Sequence, residues 1–502
     1  MHNEQEQSPG EHMKLSLSFP HAASAAAVAA TLLLSACANY QGIDPSAKAI
    51  EDVKIGQVPL AGTPQAKDAW PQDAWWTAYG DKQLNQLIEH ALAQSPNLAN
   101  AQTRIARAQA AAGLTQSAKG LQINGALDAS YGRLSGKYQI PPPPLGNGGE
   151  YVSQGTAAVN FGYDLDFWGK NAALILSANA QSRAAVFDRD AARLALTTSI
   201  ARAYAQLAAQ YELLDILHAT QKQRHAIQEL TAQRVASGLD TRVELKQAET
   251  SEASLRTELA QLTTAIDVTR LQLAALAGDM PDAARQIARP TMTTTDFMVP
   301  HDLPFDLLAR RPELAAQRER IDAALGEAQA AKAEFYPSIN LNGLIGFQSI
   351  GLGQLLSSGS YMNSIGTAIR LPIFNAGRLR SNYAVKNADI DVAITQYNQS
   401  VVNAAQDVAE QLTRAASLTR EEEAAREAQA DAEEAYRLAL LRYRAGLTPY
   451  LSVLTVETQL LTQRRAVADI HAKRQDLQIS LVRALGGGFR ANVPALAANA
   501  QH

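Results

Sequence analysis

The strongest constraint on this chain is that it is one design written twice. Displaced by 208 positions, the segment from about Tyr163 to Gly278 falls on Leu371 to Gly486 without a gap. Arg234 then meets Arg442, Gly238-Leu239 meets Gly446-Leu447, Glu249 meets Glu457, Gly169-Lys170 meets Gly377-Arg378 and Gly278 meets Gly486. Upstream the offset is 216, with Pro96, Leu98, Arg104 and Ile105 falling on Pro312, Leu314, Arg320 and Ile321. Such a chain must fold as two like halves. The offsets differ by eight, so the first half carries eight extra residues between about 121 and 165.

In that interval the helical period gives way to a period of two, the mark of strands with two unlike faces. Leu121, Ile123, Leu127, Ala129 and Tyr131 alternate with polar residues, then Ala157, Val159, Phe161, Tyr163 and Leu165 do the same. The second half repeats this with Ile339, Leu341, Ile345 and Phe347, then Ile365, Ile369, Leu371 and Ile373. Each half therefore holds one hairpin, about 121–165 and about 337–373. "QIPPPPLGNGGE" (139–150) cannot be strand and is the natural place for the extra residues. Segments of about ten alternating residues suit an outer-membrane strand. Tyr131, Tyr138, Tyr151, Phe347 and Tyr361 near the loops, with Phe335, Tyr336, Phe167, Trp168 and Phe374 near the helices, read as two aromatic girdles. A four-stranded sheet packed on soluble helices would explain the alternation, but the girdles and the N-terminal anchor less well. Four strands cannot close a membrane barrel, which needs about eight, and open edges are not tolerated in hydrocarbon. Copies must pool strands, a dimer giving eight, a trimer twelve and a tetramer sixteen.

Between the hairpins lie long stretches free of Gly and Pro: 171–237 and 239–277, then 378–445 and 450–485. At 1.5 Å per residue the longer ones reach roughly 100 Å. Their apolar residues are spaced three and four apart, as in a coiled coil: Ile200, Tyr204, Leu207, Tyr211 and Leu214, and then Leu245, Leu255, Leu259, Leu262, Ile266, Leu273 and Leu276. The second half carries a weaker seam of Val453, Gln463, Val467, Ile470, Arg474, Leu477 and Ala484.

The N-terminus reads as an export signal: Met13-Lys14, an alanine-rich apolar stretch and small residues before Cys37, the only cysteine. Leu34-Ser35-Ala36-Cys37 resembles the bacterial lipobox, which implies cleavage at Cys37, a diacylglyceryl thioether on its sulfur and a palmitate-type N-acyl chain. Ala38, rather than Asp, points to the outer membrane. Net charge is −4 for the whole chain, which excludes a nucleic-acid binder driven by bulk charge. One cysteine forbids an internal disulfide.

"DAWWTAYGDKQLNQLIEHALAQSPNLANAQTRI" (73–105), "YDLDFWGK" (163–170), "FYPSINL" (335–341), "LPIFNAGR" (371–378), "RYRAGLTPYLSVL" (442–454) and "ALGGG" (484–488) together resemble the TolC-type outer-membrane efflux proteins, in the lipoprotein branch of NodT and OprM. The resemblance implies a mainly α fold with membrane β, formed by a homotrimer whose twelve-stranded β-barrel continues into an α-helical barrel through the periplasm. It implies a periplasmic adaptor, an inner-membrane resistance-nodulation-division transporter and outer-membrane lipid as partners, and transport rather than catalysis. The division it suggests is a signal peptide 1–36, a lipid-anchored extension 37–72, a first repeat 73–290, a second repeat 291–488 and a flexible tail 489–502.

The resemblance places the periplasmic tips, and adaptor docking, at R-x-x-x-G-L: Arg234, Gly238 and Leu239, and Arg442, Gly446 and Leu447. The family narrows its pore just beyond with a leucine and an acid–base pair. Leu451 matches, while Thr455 and Thr458 stand where the charges would be. Glu457 or residues near Glu244 are candidates to supply the missing charge, against the plainer reading of solvated glutamates. "REEEAAREAQADAEE" (420–434) reads as a solvated acidic face. No catalytic motif, metal cluster or cofactor signature is found, and no cofactor is expected. The expected function is a passive exit duct for drugs and other solutes. The alternatives are a duct for an ABC-driven protein exporter and a non-conducting, periplasm-spanning structural lipoprotein.

Overall fold

The computed structural model describes residues 40–51, 65–66, 70–137, 144–145, 148–293, 299–300 and 310–490. Its helices are α1 (Lys82–Gln94), α2 (Pro96–Ser117), α3 (Lys170–Ala236), α4 (Arg242–Ala277), α5 (Pro312–Ala333), α6 (Arg378–Arg444) and α7 (Tyr450–Ala484). Its main strands are β1 (Gln122–Arg133), β2 (Tyr151–Leu165), β3 (Ser338–Ile350) and β4 (Tyr361–Arg370). The repeat is visible in the elements, since α3 and α6 are each 67 residues long and begin and end 208 residues apart. None of the described helices is long and apolar enough to cross a membrane.

The described residues divide into two compact units, and neither coincides with a repeat. One comprises residues 40–45, Leu114–Leu176 and Ala324–Asp389; the other comprises the remainder. Each repeat thus threads through both units.

The first unit is built on an antiparallel sheet in the order β1-β2-β3-β4, with the two hairpins joined through β2 and β3. Residues paired directly across antiparallel strands share a face. One face carries Ile123 beside Phe161, Val159 beside Ile345, and Leu165, Ile339 and Ile369 in a row. The other carries Asn124 beside Asn160, Asp128 beside Thr156, and Asp164 beside Asn340. The apolar face is open: Ile123, Leu127, Tyr131, Ile365 and Ile369 are between 63 and 77 % exposed. The outer edges of β1 and β4 pair with no strand among the described residues. Trp168 stacks on Tyr336 at 4.8 Å and donates its indole N–H to the Pro337 carbonyl. Phe335 departs from the girdle reading: it is buried, edge-on to Tyr40 and Tyr383, because Tyr40 lies against it. Tyr138 lies outside the described residues.

The second unit is a helical core. Asp81 caps α1, accepting the amides of Gln83 and Leu84, and also accepts the Tyr204 hydroxyl and the Thr291 amide. Its burial alone would raise its pKa, but these bonds outweigh it and hold the carboxyl below its usual range. The seam read from spacing is the core: Ile200, Tyr204 and Leu207 of α3 pack with Leu255, Leu262, Ile266 and Leu273 of α4. Where α4 ends, Gly278 has φ +88°, and a Cβ there would press to 3.0 Å on the Gln94 carbonyl oxygen, beside Pro96. Where α7 ends, Gly486 is pressed still harder, on the Arg310 carbonyl before Pro312. The same junction thus recurs in both halves, and with positive φ as well as close backbone both positions favour glycine. Phe489, expected to open a flexible tail, packs edge-on against Phe187; residues 491–502 lie outside the described set.

Candidate functional site

Both R-x-x-x-G-L segments form helix ends. Gly238 and Gly446 have φ +71° and +76°, the left-handed conformation that costs glycine little. The Leu239 amide reaches back to the Arg234 carbonyl at 2.8 Å, and the Leu447 amide to the Arg442 carbonyl at 2.9 Å. This is the six-to-one bond of a Schellman turn, which satisfies carbonyls a helix end leaves open. Leu239 and Leu447 project outward, 66 % and 70 % exposed.

The side chains differ. Arg234 donates from Nε and Nη2 to the Asp240 carboxylate at 2.9 and 3.2 Å, and its guanidinium lies 4.7 Å over the Tyr443 ring. Tyr443 is fully buried and donates its hydroxyl to Asp240 at 2.6 Å, with Thr231 Oγ1 at 2.9 Å. Burial pushes the Tyr443 phenol up to about 12, aided by its bond to Asp240. Burial would also raise Asp240, but the Arg234 and Tyr443 bonds prevail and lower it. Arg442, in contrast, is exposed and has no ion pair among the described residues.

Two turns into α7 lies a second contact between the repeats. Glu457 is 2 % exposed and accepts Arg224 Nε of α3 at 3.2 Å, while Arg224 Nη1 donates to the Ser251 carbonyl of α4 at 2.8 Å. Burial raises the Glu457 pKa, and Arg224 opposes that rise. The solvated reading of Glu457 is thus corrected: Tyr436 and Tyr450 also lie within its electrostatic reach, and water is excluded. Glu422, within the acidic run read as a solvated face, is likewise buried and paired with Arg426 and Arg474. Glu244 closes a capping box with Thr241 at the start of α4, its own pKa lowered first by the Thr241 hydroxyl.

Leu451, Thr455 and Thr458 follow one another along α7. Leu451 is 57 % exposed; the two threonine hydroxyls donate to the carbonyls of Leu451 and Leu454, at 2.9 and 2.8 Å. Satisfied by their own helix, neither makes a bond to another helix among the described residues.

Cys37 lies outside the described residues. The segment just after it is held firmly. Tyr40 packs on Phe335 and Tyr383, under the Lys332 ammonium at 4.7 Å, and the Gln41 carbonyl accepts Arg380. Further on, the Asp391 carboxylate accepts the amides of Ser46 and Ala47, both at 2.8 Å, and Asn398 brackets Lys48 and Ile50. The Ala47 amide foremost lowers the Asp391 pKa.

Spacing missed Asp240, Tyr443 and Arg224. A signal existed in the repeat itself: Asp240 and Tyr443 stand where the other copy has Thr448 and Val235. The contacts between the halves join residues the copies share, Arg234 and Glu457, to residues they do not, Asp240, Tyr443 and Arg224.

A model of the outer membrane efflux protein family matches residues 87–279 and 303–487. The multidrug resistance outer membrane protein MdtP of Escherichia coli is 32% identical over 475 residues, 92% of this chain and 95% of that protein. The fusaric acid resistance protein FusA of Burkholderia cepacia is 32% identical over 372 residues, 73% of this chain and 69% of that one. Among solved structures, the outer membrane protein VceC of Vibrio cholerae superposes with a TM-score of 0.79 at 38% identity, covering 84% of this chain and 100% of its own. With its apolar-faced sheet, its paired long helices and these relatives, the chain belongs to the outer membrane efflux protein family.

Proposed function

We propose that three copies of this chain pool their sheets into one twelve-stranded barrel, and that their helices continue it as a duct through the periplasm. The carrying observation is the sheet: one exposed apolar face, one polar face and two open edges, which hydrocarbon tolerates only when closed by other copies. Twelve strands leave a water-filled interior. Solutes enter from a periplasmic adaptor and an inner-membrane resistance-nodulation-division transporter, pass the tip and diffuse out; the duct performs no chemistry of its own. Relatives named for multidrug and fusaric acid resistance support small solutes over polypeptides as the cargo.

In this reading Arg234, Gly238, Leu239, Arg442, Gly446 and Leu447 form the adaptor-docking tips. The gate lies at Leu451, Thr455 and Thr458, and the charged lock that these threonines lack is supplied by Asp240 with Arg234 and Tyr443, and by Glu457 with Arg224. Cys37 carries the acyl chains, and Tyr40 to Ile50 strap each protomer to its anchor.

Two experiments test this. A deletion strain should become sensitive to dyes, detergents and antibiotics and be rescued by the intact gene. Lost secretion of one protein with unchanged drug sensitivity would favour a polypeptide duct instead. Single cysteines placed on β1 and β4 should cross-link copies into a ladder ending at three, since acylation leaves Cys37 without a free thiol. A ladder ending at two or four would refute the trimer.

A further inference from the structure

A groove of about 930 Å³ opens beside the first turns of α7. Arg224, Arg242, Lys246, Thr250, Leu454 and Thr458 line it, and no carboxylate does. The nearby acids are already engaged: Glu457 is buried against Arg224, and Glu249 pairs with Lys246 at 2.6 Å. Arg242 makes no ion pair or side-chain hydrogen bond among the described residues. Arg224 spends Nε on Glu457 and Nη1 on Ser251, and its Nη2 makes no hydrogen bond among the described residues. The groove therefore gathers three cations and one apolar wall from Leu454, and it shares Thr458 with the gate.

We propose that this groove binds small organic carboxylates, holding the anionic class of the duct's cargo beside the gate. Arg242, without an ion pair among the described residues and set beside Lys246 and Arg224, attracts an anion, which competes with Glu249 for the Lys246 ammonium. The Leu454 wall suits an apolar body, so a hydrophobic monocarboxylate fits better than inorganic phosphate. Because Arg224 also holds Glu457, a carboxylate at its free edge competes for the same guanidinium and loosens the contact between the repeats. The proposal rests on the duct reading only in taking the Leu451–Thr458 turns as lining the passage.

The test uses the full-length protein in detergent, so that it does not depend on conduction. Binding of benzoate, its neutral analogue benzamide, the cation benzylammonium and inorganic phosphate is followed by saturation-transfer NMR. We expect benzoate to bind, the other three to bind at least about tenfold more weakly, and the double variant Arg242→Gln/Lys246→Gln to lose about tenfold in benzoate affinity. Both residues are exposed, and unchanged oligomer size and helicity exclude misfolding as the cause. Equal binding of benzoate and benzamide, phosphate binding as tightly as benzoate, or an unaffected double variant would each overturn the proposal. A protein that binds benzoate as expected but never conducts would instead count against the duct.

Discussion

The two R-x-x-x-G-L helix turns have the same backbone and opposite environments. Arg234 is clamped by Asp240 and capped by the buried Tyr443 ring, whereas Arg442 faces solvent. The repeated glutamates diverge in the same way: Glu457 is buried against Arg224, and Glu249 meets Lys246 at the surface. Duplication supplied one helix-turn-helix twice. The contacts that bind the copies together pair a shared residue, Arg234 or Glu457, with one found in a single copy, and a gate made from these helices must work through those contacts.

The comparison can be broken most sharply at Arg224. Arg224→Ala leaves Glu457 buried and unpaired, a loss of about 3–5 kcal/mol. The counterpart change Lys246→Ala, at an exposed pair, should cost about 0–1 kcal/mol. Denaturant titration of the solubilised protein measures both, and equal effects would dissolve the distinction. Next in size, Asp240→Asn removes the charge that Arg234 and Tyr443 share and should cost about 1.5–3 kcal/mol. Its counterpart Thr448 is a buried hydroxyl without a partner among the described residues, so Thr448→Val should be neutral or stabilising by about 1 kcal/mol.

Acid separates the two contacts by sign. The Asp240 pKa is depressed in the fold, so its contribution is full above the ordinary carboxylate value of about 3.9 and fades as pH falls through its lower folded value. The Glu457 pKa is raised, so its contribution is full below about 4.3 and fades as pH rises through its higher folded value. Stability against pH should therefore lose its acid arm in Asp240→Asn and its opposite arm in Glu457→Gln. The smallest expected effect belongs to Arg442→Ala, within about 0.5 kcal/mol. A larger loss there would mean that the exposed Arg442 has a partner within the protein.

Much of this was legible from the residues because it is periodic. Alternation around Ile123 and Leu127 marked strands, and the spacing of Leu255, Leu262, Ile266 and Leu273 marked a seam that is now seen buried. What escaped was non-local and singular. Tyr443 and Asp240 lie 203 residues apart, and Arg224 and Glu457 lie 233 apart. No local pattern pairs such residues, and Glu457 shares its sequence position with Glu249, which is not buried. Phe335 was misread for the same reason, since the residue that covers it, Tyr40, is nearly three hundred positions away.

The central claim is that these helices form a duct held shut by contacts between the repeats. Single-channel conductance of the purified full-length protein in planar bilayers tests it most directly, comparing wild type with Asp240→Asn/Glu457→Gln. Rare, small openings in the wild type and large, sustained conductance in the double variant are the predicted result. A double variant that inserts as an intact oligomer and conducts no better than wild type would contradict the lock. Silence from both, even with the tips truncated, would contradict the duct.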